Sequence, residues 1–453
     1  MASLDETASR TPWALFGASW VVAMGVAVVA RGRVHPDEIF QALEPAHRLA
    51  FGTGEVAWEW VAGLRNWLVP GLLAWPLRLG GALGLRDPRL LVLPLWALCA
   101  AWQASGTLFL FRYVEERDGR GAAWLAGLLH ATWGGFAIYA ARTIGDALAI
   151  PALLASLCFT ARALRRDVSG DALSAGAALG LAILLRYPSL VFALPLGGAI
   201  FWRRPRALPG FVVGLALLIG ALAVLDRATW GEAFFSLRHY LAFNRPGGGA
   251  VRGYGAEPWW WYGGIFAGMA PLPLLYPFAQ SLRRPGLAHA CFFSYLAAVE
   301  LHPHKEPRFL LPLLPLLTLC SAGEAIRDLE RWRVRRPALR WLGPIYAAWS
   351  LAAASVLLPF ALDRNIVDAE IAAGRDPSLT GLLVADDFWA TGGRFYLHRD
   401  VPIRYGKVQA ALRDRAFSHL LFPSGPSIPD PALAAAGWSR WWRRGACEVW
   451  KRR

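Results

Sequence analysis

Between Trp13 and Ala30 the chain carries no charged side chain, and apolar runs of this kind recur along it. A run of about 18 such residues crosses the ~30 Å hydrocarbon layer of a bilayer as a helix. Within that layer only helices and closed barrels satisfy their own backbone hydrogen bonds. The chain therefore reads as an all-α polytopic membrane protein. Spans are expected at 12–30, 89–111, 121–140, 144–160, 172–185, 188–202, 208–225, 259–280, 286–300, 308–325 and 341–361, about eleven transmembrane helices. The segment 66–83 is apolar but carries Pro70 and Pro76, and is expected at the interface or as an entry to the second span. The first run reads as an uncleaved helix rather than a signal peptide, because it is long and further spans follow. Only 17% of the residues are charged, against about a quarter in an average soluble domain.

The formal net charge of +15 could suggest nucleic acid, but the basic residues do not share one face. They fall in compact clusters between apolar runs: Arg112, Arg117 and Arg120; Arg162, Arg165 and Arg166; Arg203, Arg204 and Arg206; Arg283 and Arg284; then Arg327, Arg331, Arg333, Arg335, Arg336 and Arg340. Such clusters mark cytoplasmic loops, so no nucleic-acid partner is expected. The other set of loops, 31–66, 141–144, 186–188, 226–258, 301–308 and everything after 362, is then extracytoplasmic. Two domains are expected: a transmembrane domain over 1–361 and a small α/β domain over 362–453. Strands are expected in GLLVADD (381–387), VPIRY (401–405), SHLLFP (418–423) and CEVWKRR (447–453). The five cysteines are scattered and form no Cys-x-x-Cys pair, which suits small core residues rather than a disulfide framework or a zinc site. Abundant Ala, Arg and Gly with few Lys points to a bacterial plasma membrane, with the endoplasmic reticulum as the alternative.

The outer loops collect the ionisable residues. They hold HPDE (35–38), ARTIGD (141–146), RYPS (186–189), the long stretch 229–262 and ELHPHKEPRF (300–309). Charges at membrane depth are costly and usually pair or serve a function. A carboxylate can deprotonate an alcohol, cations can neutralise a leaving phosphate, and aromatic rings can stack on a sugar. A membrane enzyme moving a sugar from a lipid phosphate to a hydroxyl needs all three. No phosphate-binding glycine loop or dinucleotide fingerprint is present. Plainer readings stand beside this one. Asp37 can cap a helix; Lys305 and Arg308 can snorkel from a span end; Arg142 and Arg186 can each meet a lipid headgroup; Trp259, Trp260, Trp261 and Tyr262 can form an interfacial belt. Asp386 and Asp387 close an expected strand, and His35, His302 and His304 lack zinc-ligand spacing, so no metal is expected. A lipid or sugar transporter is the alternative class; it would carry charges in broken mid-membrane helices and some repeat symmetry.

HPDEIFQ (35–41) resembles the opening motif of the glycosyltransferase family 22 mannosyltransferases of the GT-C superfamily. HKEPRF (304–309) is similar to that family's HKE-x-RF, and YGAEPWWWY (254–262) to its YG-x-x-PW-x-WY. The family includes enzymes of GPI-anchor and lipid-linked oligosaccharide assembly. The resemblance implies inverting transfer of mannose from a polyprenyl- or dolichyl-phosphate donor to a glycolipid or glycan acceptor, with no cofactor. It implies that Asp37 is the catalytic base and that Glu38 supports it. His304, Lys305, Arg308 and Arg142 would meet the donor phosphate. His35, Glu306, Tyr254, Glu257, Trp259, Trp261 and Tyr262 would line the sugar and acceptor sites. In this sequence Glu257 and Trp260 stand where the family often has His, and Gly145-Asp146 where many members have Ser-Asn. A related enzyme using another lipid-linked sugar, such as arabinose, is the nearer alternative.

Overall fold

The computed structural model describes residues 3–166, 169–245, 247–333, 342–357 and 363–453. Arg335, Arg336 and Arg340 of the last expected cytoplasmic cluster, and 358–361 of the last expected span, lie outside the described residues. The chain divides into two compact units. One comprises Met1–Ala27, Ala62–Leu68 and Ala97–Leu357; the other comprises Val28–Val61, Val69–Trp96 and Leu358–Arg453.

The first unit is helical. Over the whole chain, five described helical stretches are long and apolar enough to cross a membrane: Pro12–Ala30, Pro88–Asp118, Gly145–Arg165, Pro205–Trp230 and Pro307–Arg331. Gly170–Leu185 and Leu287–Leu301 are shorter apolar helices. This is a multi-span membrane protein. Burial separates two classes of span. Gly145–Arg165 and Pro307–Arg331 are each 83% buried over their most apolar window, whereas Pro205–Trp230 is 17% buried and turns Leu217 and Val224 outward. Apolar side chains exposed over most of a helix suit lipid as solvent; the buried spans form the interior.

Without a hydrophobic force between helices in lipid, close backbone packing at small residues holds spans together. Ser169–Leu185 and Leu208–Trp230 meet in that way. A methyl built at Gly176 would overlap the Phe211 carbonyl, and one at Gly214 would overlap the Leu173 carbonyl. The neighbouring Ile150–Arg165 helix is tied to the same pair by Ser156, whose hydroxyl donates to the Ala175 carbonyl at 2.8 Å.

Two of the expected spans are interrupted. The 121–140 run is Arg120–Thr132 followed by Gly134–Ala140, with Trp133 extended between them. There the Trp133 indole donates to the Met269 carbonyl at 2.6 Å. The 259–280 run breaks after Trp261–Met269 and resumes as Leu275–Ser281.

The second unit is built on a five-stranded sheet of order β2-β1-β3-β5-β4. The strands are β1 (Leu382–Val384), β2 (Ile403–Tyr405), β3 (His419–Phe422), β4 (Trp438–Arg444) and β5 (Cys447–Arg452). β1 pairs in parallel with β2 and β3, and β5 runs antiparallel to β3 and β4. Successive side chains of a strand point to opposite faces. Leu383, Leu420 and Trp450 accordingly enter one core with Leu433 and Trp438. Leu382, Val384, Leu421 and Val449 enter a second core with Ile366, Ala369 and Ala373. The latter three lie on the Arg364–Arg375 helix.

Candidate active site

In the second unit the HPDE segment leads into a π-type turn over Glu38–Leu43, ahead of the Glu44–Phe51 helix. Single π turns often occur at functional sites. Asp37 precedes the turn and is buried, but its side chain makes no capping bond to the backbone. It bonds Gln41, four residues on. The Gln41 amide also donates to Glu59 at 2.7 Å, so one NH2 group serves two buried carboxylates. His35 Nδ1 lies 3.4 Å from the Asp37 carboxylate. Glu38 points the other way and accepts from the Val34 N–H at 2.8 Å, closing the loop on itself.

The sheet braces this turn. Arg33 donates to the Trp389 and Thr391 carbonyls and pairs with Asp363 at 2.6 Å. Phe40 packs edge-on against Phe388 and Trp389, at 5.1 and 5.0 Å between ring centroids. Glu44 is fully buried and accepts backbone N–H groups from Phe395 and Glu55. Burial outweighs those donors and raises its pKa to about 8.

In the first unit the structure brings together three segments distant in sequence. Arg308, on the 3-10 turn Pro307–Leu310, grips Glu306 through two bonds of 2.7 and 2.9 Å. Its third nitrogen lies 3.8 Å from Asp146. Asp146 accepts from Arg186 at 2.8 Å. Burial disfavours the Arg186 charge, yet Asp146 holds the guanidinium firmly protonated. Phe309 sits beneath both cations, 5.4 Å from Arg186 and 5.3 Å from Arg308.

Lys305 turns away from that array. It pairs with Glu300 at 2.5 Å and stands 4.7 Å over the Tyr262 ring. The Tyr262 hydroxyl accepts from the Glu306 N–H at 3.3 Å. His304 Nε2 lies 3.1 Å from Glu306, and its ring lies tilted against Tyr254, 5.2 Å between centroids. Glu257 is tied to this strand of loop by its backbone, donating to the Pro303 carbonyl at 3.0 Å. Arg142 is buried on the loop that leads to Asp146. Trp259 is exposed, whereas Trp261 is half-buried.

A cavity of about 190 Å³ adjoins the Asp146–Arg186 pair; Tyr240, Tyr295, Val299, His302 and Phe309 also line it. It combines a charged head with an apolar body, as a site for a lipid phosphate would.

Nothing near Arg186 in sequence offers it a partner; Asp146 lies forty positions away, beyond any local pattern. Gln41 and Glu59 also lay outside the expected site residues. The i, i+4 spacing of Asp37 and Gln41 in HPDEIFQ was the available signal for the first.

The fold is of the GT-C class. Its resemblance to ArnT from Cupriavidus metallidurans bound to undecaprenyl phosphate covers 97% of this chain and 98% of that one, with a TM-score of 0.67 at 15% identity. The chain belongs to the Alg9-like mannosyltransferase family, whose model matches residues 15–365, and with it to the membrane mannosyltransferases of that fold class. It is 28% identical over 391 residues to GPI mannosyltransferase 3 of Yarrowia lipolytica, across 81% of this chain and 72% of that protein. It is 26% identical to GPI alpha-1,2-mannosyltransferase 3 of Bos taurus, across 68% of this chain and 57% of that protein. The match thus spans little more than half the length of the bovine relative.

Proposed function

We propose that the chain moves mannose from a polyprenyl-phosphate donor to a hydroxyl of a glycolipid or glycan acceptor, with inversion, at the extracytoplasmic face of a membrane it crosses about eleven times. The observation that carries this reading is the buried Arg186–Asp146–Arg308–Glu306 array at the head of an apolar cavity. A polyprenyl phosphate has the same two parts, an anionic head and an apolar tail. Undecaprenyl phosphate bound to ArnT supports a carrier of that chemical class here.

In the proposed reaction Asp37 takes the proton of the acceptor hydroxyl as its oxygen attacks the anomeric carbon. The bond from that carbon to the phosphate oxygen breaks, and the lipid phosphate departs with the electron pair. Phosphate is already a competent leaving group, so stabilising its charge with Arg186, Arg308 and Arg142 replaces a leaving-group acid, while Lys305, paired with Glu300, holds the loop that carries Arg308. Gln41 fixes one Asp37 oxygen, which orients the base. Tyr254 and Trp261 offer ring faces to sugar, Glu257 and His35 offer polar contacts, and Tyr262, buried beneath Lys305, steadies the Glu306 loop instead of meeting sugar. The transmembrane region to 361 would hold the donor, with the residues from 362 forming a smaller extracytoplasmic domain.

The test uses full-length protein, radiolabelled polyprenyl-phosphate mannose and a panel of glycolipid acceptors. Transfer is expected to one acceptor class, and Asp37→Asn is expected to abolish turnover while still binding donor. Normal transfer by Asp37→Asn would remove the base assignment. Transfer of a different lipid-linked sugar in preference to mannose would remove the donor assignment.

A further inference from the structure

The Pro88–Asp118 helix begins its apolar stretch at Leu90, a half-exposed side chain, and the residue before it is Arg89. Next to Arg89 the second unit holds a cavity of about 270 Å³ lined by Arg375, Arg443, Arg444, Asp368 and Trp442. Four guanidinium groups and one carboxylate thus line it. Asp368 is buried and already bonds Arg89 at 2.7 Å and Arg444, with Arg364 at 3.5 Å. Arg375 pairs with Asp87 at the rim. Arg443 reaches Glu448 at 3.4 Å; Arg440 shares Glu448 at 3.1 Å but also pairs with Asp430, so the uncompensated charge centres on the three arginines at Asp368. The acids are shared among more cations than they neutralise.

The position of this excess charge needs a cause. A helix of 31 residues is roughly 46 Å long at 1.5 Å per residue, more than the hydrocarbon thickness. Arg112 and Arg117 sit at its other end, in a cluster of the cytoplasmic kind. Arg89 is therefore at the opposite face, where membrane topology does not call for concentrated arginine. Planar guanidinium forks match phosphate oxygens in pairs, and Trp442 supplies an amphipathic ring suited to the headgroup level.

We infer that this arginine cavity binds a phosphate ester of net negative charge, held at the depth of lipid headgroups, through Arg89, Arg375, Arg443 and Arg444. It uses none of the residues assigned to sugar transfer. The inference rests on the membrane crossing of one helix and not on the mannosyl reading, so either can fail alone.

The experiment is native mass spectrometry of the full-length protein from detergent, with phosphatidylglycerol, phosphatidylcholine and inorganic phosphate as probes. Phosphatidylglycerol is expected to be retained preferentially over phosphatidylcholine, and the preference is expected to fall as salt is raised. Arg375→Ala with Arg443→Ala is expected to weaken phosphatidylglycerol binding about fivefold for each arginine. Arg203→Ala with Arg206→Ala, from a cytoplasmic cluster, is expected to leave it unchanged. Competition by inorganic phosphate at matched concentration would support a soluble phosphate ester as the occupant; its absence would support a lipid headgroup. Equal retention of both lipids, or a preference insensitive to salt and to the double variant, would overturn the proposal. The salt titration needs only the unmodified protein, so the outcome does not depend on the variants folding.

Discussion

Replacing Asp146 by Asn tests how the buried charge array is held. The change is small in volume. In the structure Asp146 lies between two buried guanidinium groups, 2.8 Å from Arg186 and 3.8 Å from Arg308. Arg308 keeps Glu306, but among the ion pairs of the described residues Arg186 has only Asp146. Removing one partner of a buried pair costs about 3–5 kcal/mol, because the remaining charge stays buried. Asparagine keeps a carbonyl that accepts from the Arg186 Nε, which puts the expected loss near the lower end, about 3 kcal/mol. The same change should strengthen the response to a phosphate-bearing lipid, because an added anion then supplies the missing charge. Unfolding in mixed micelles, followed by tryptophan fluorescence with and without undecaprenyl phosphate, measures both quantities. The Asn variant should be less stable alone and should gain more from the lipid than the parent does. A loss below about 1 kcal/mol, or equal stabilisation of the two proteins by the lipid, would refute this account of the array.

Three further outcomes follow from other parts of the molecule. Gly214→Leu should destabilise by ~3 kcal/mol, the upper end of overpacking costs, because its side chain would enter the Leu173 carbonyl; Gly220→Leu, with open space beside it, should be near neutral in the same unfolding assay. Gln41→Leu removes the shared donor of Asp37 and Glu59 and should lower kcat by ~100-fold with little change in donor KM; unaltered turnover would show that Asp37 does not depend on this amide. Glu44 has a folded pKa raised to about 8 from an ordinary 4.5, so its neutral form contributes stability that is complete below about 4.5 and lost as pH rises through about 8. Glu44→Gln should flatten that slope, while His47, lowered by burial to about 4, leaves a separate loss on acidification between 6.5 and 4. Stability measured across that range in both proteins decides it.

The helices were legible because a bilayer sets a minimum length for any crossing, and five of the apolar runs meet it among the described residues. Their interruptions were not. The break at Trp133 depends on a carbonyl at Met269, more than a hundred residues on, and nothing in the 121–140 run announces it. Four strands were readable from short apolar runs between turn residues. β4 was missed, because WSRWWRR spends its alternate positions on charge and bulky rings rather than on a plain apolar alternation. Within the candidate site the close pairs followed from spacing: Glu306 meets Arg308 two residues away. Long-range pairs such as Arg186–Asp146 depend on helix packing, which a single sequence does not display.

The strand that hid itself also closes the sheet. β4 is an outermost strand, and its register shifts between Arg440 and Trp442. An edge that is kinked and studded with arginine repels a second copy of itself and offers no straight row of backbone groups to a foreign strand. Neighbouring molecules confined at high density in one plane can therefore collide repeatedly along this edge without zipping into fibres through it.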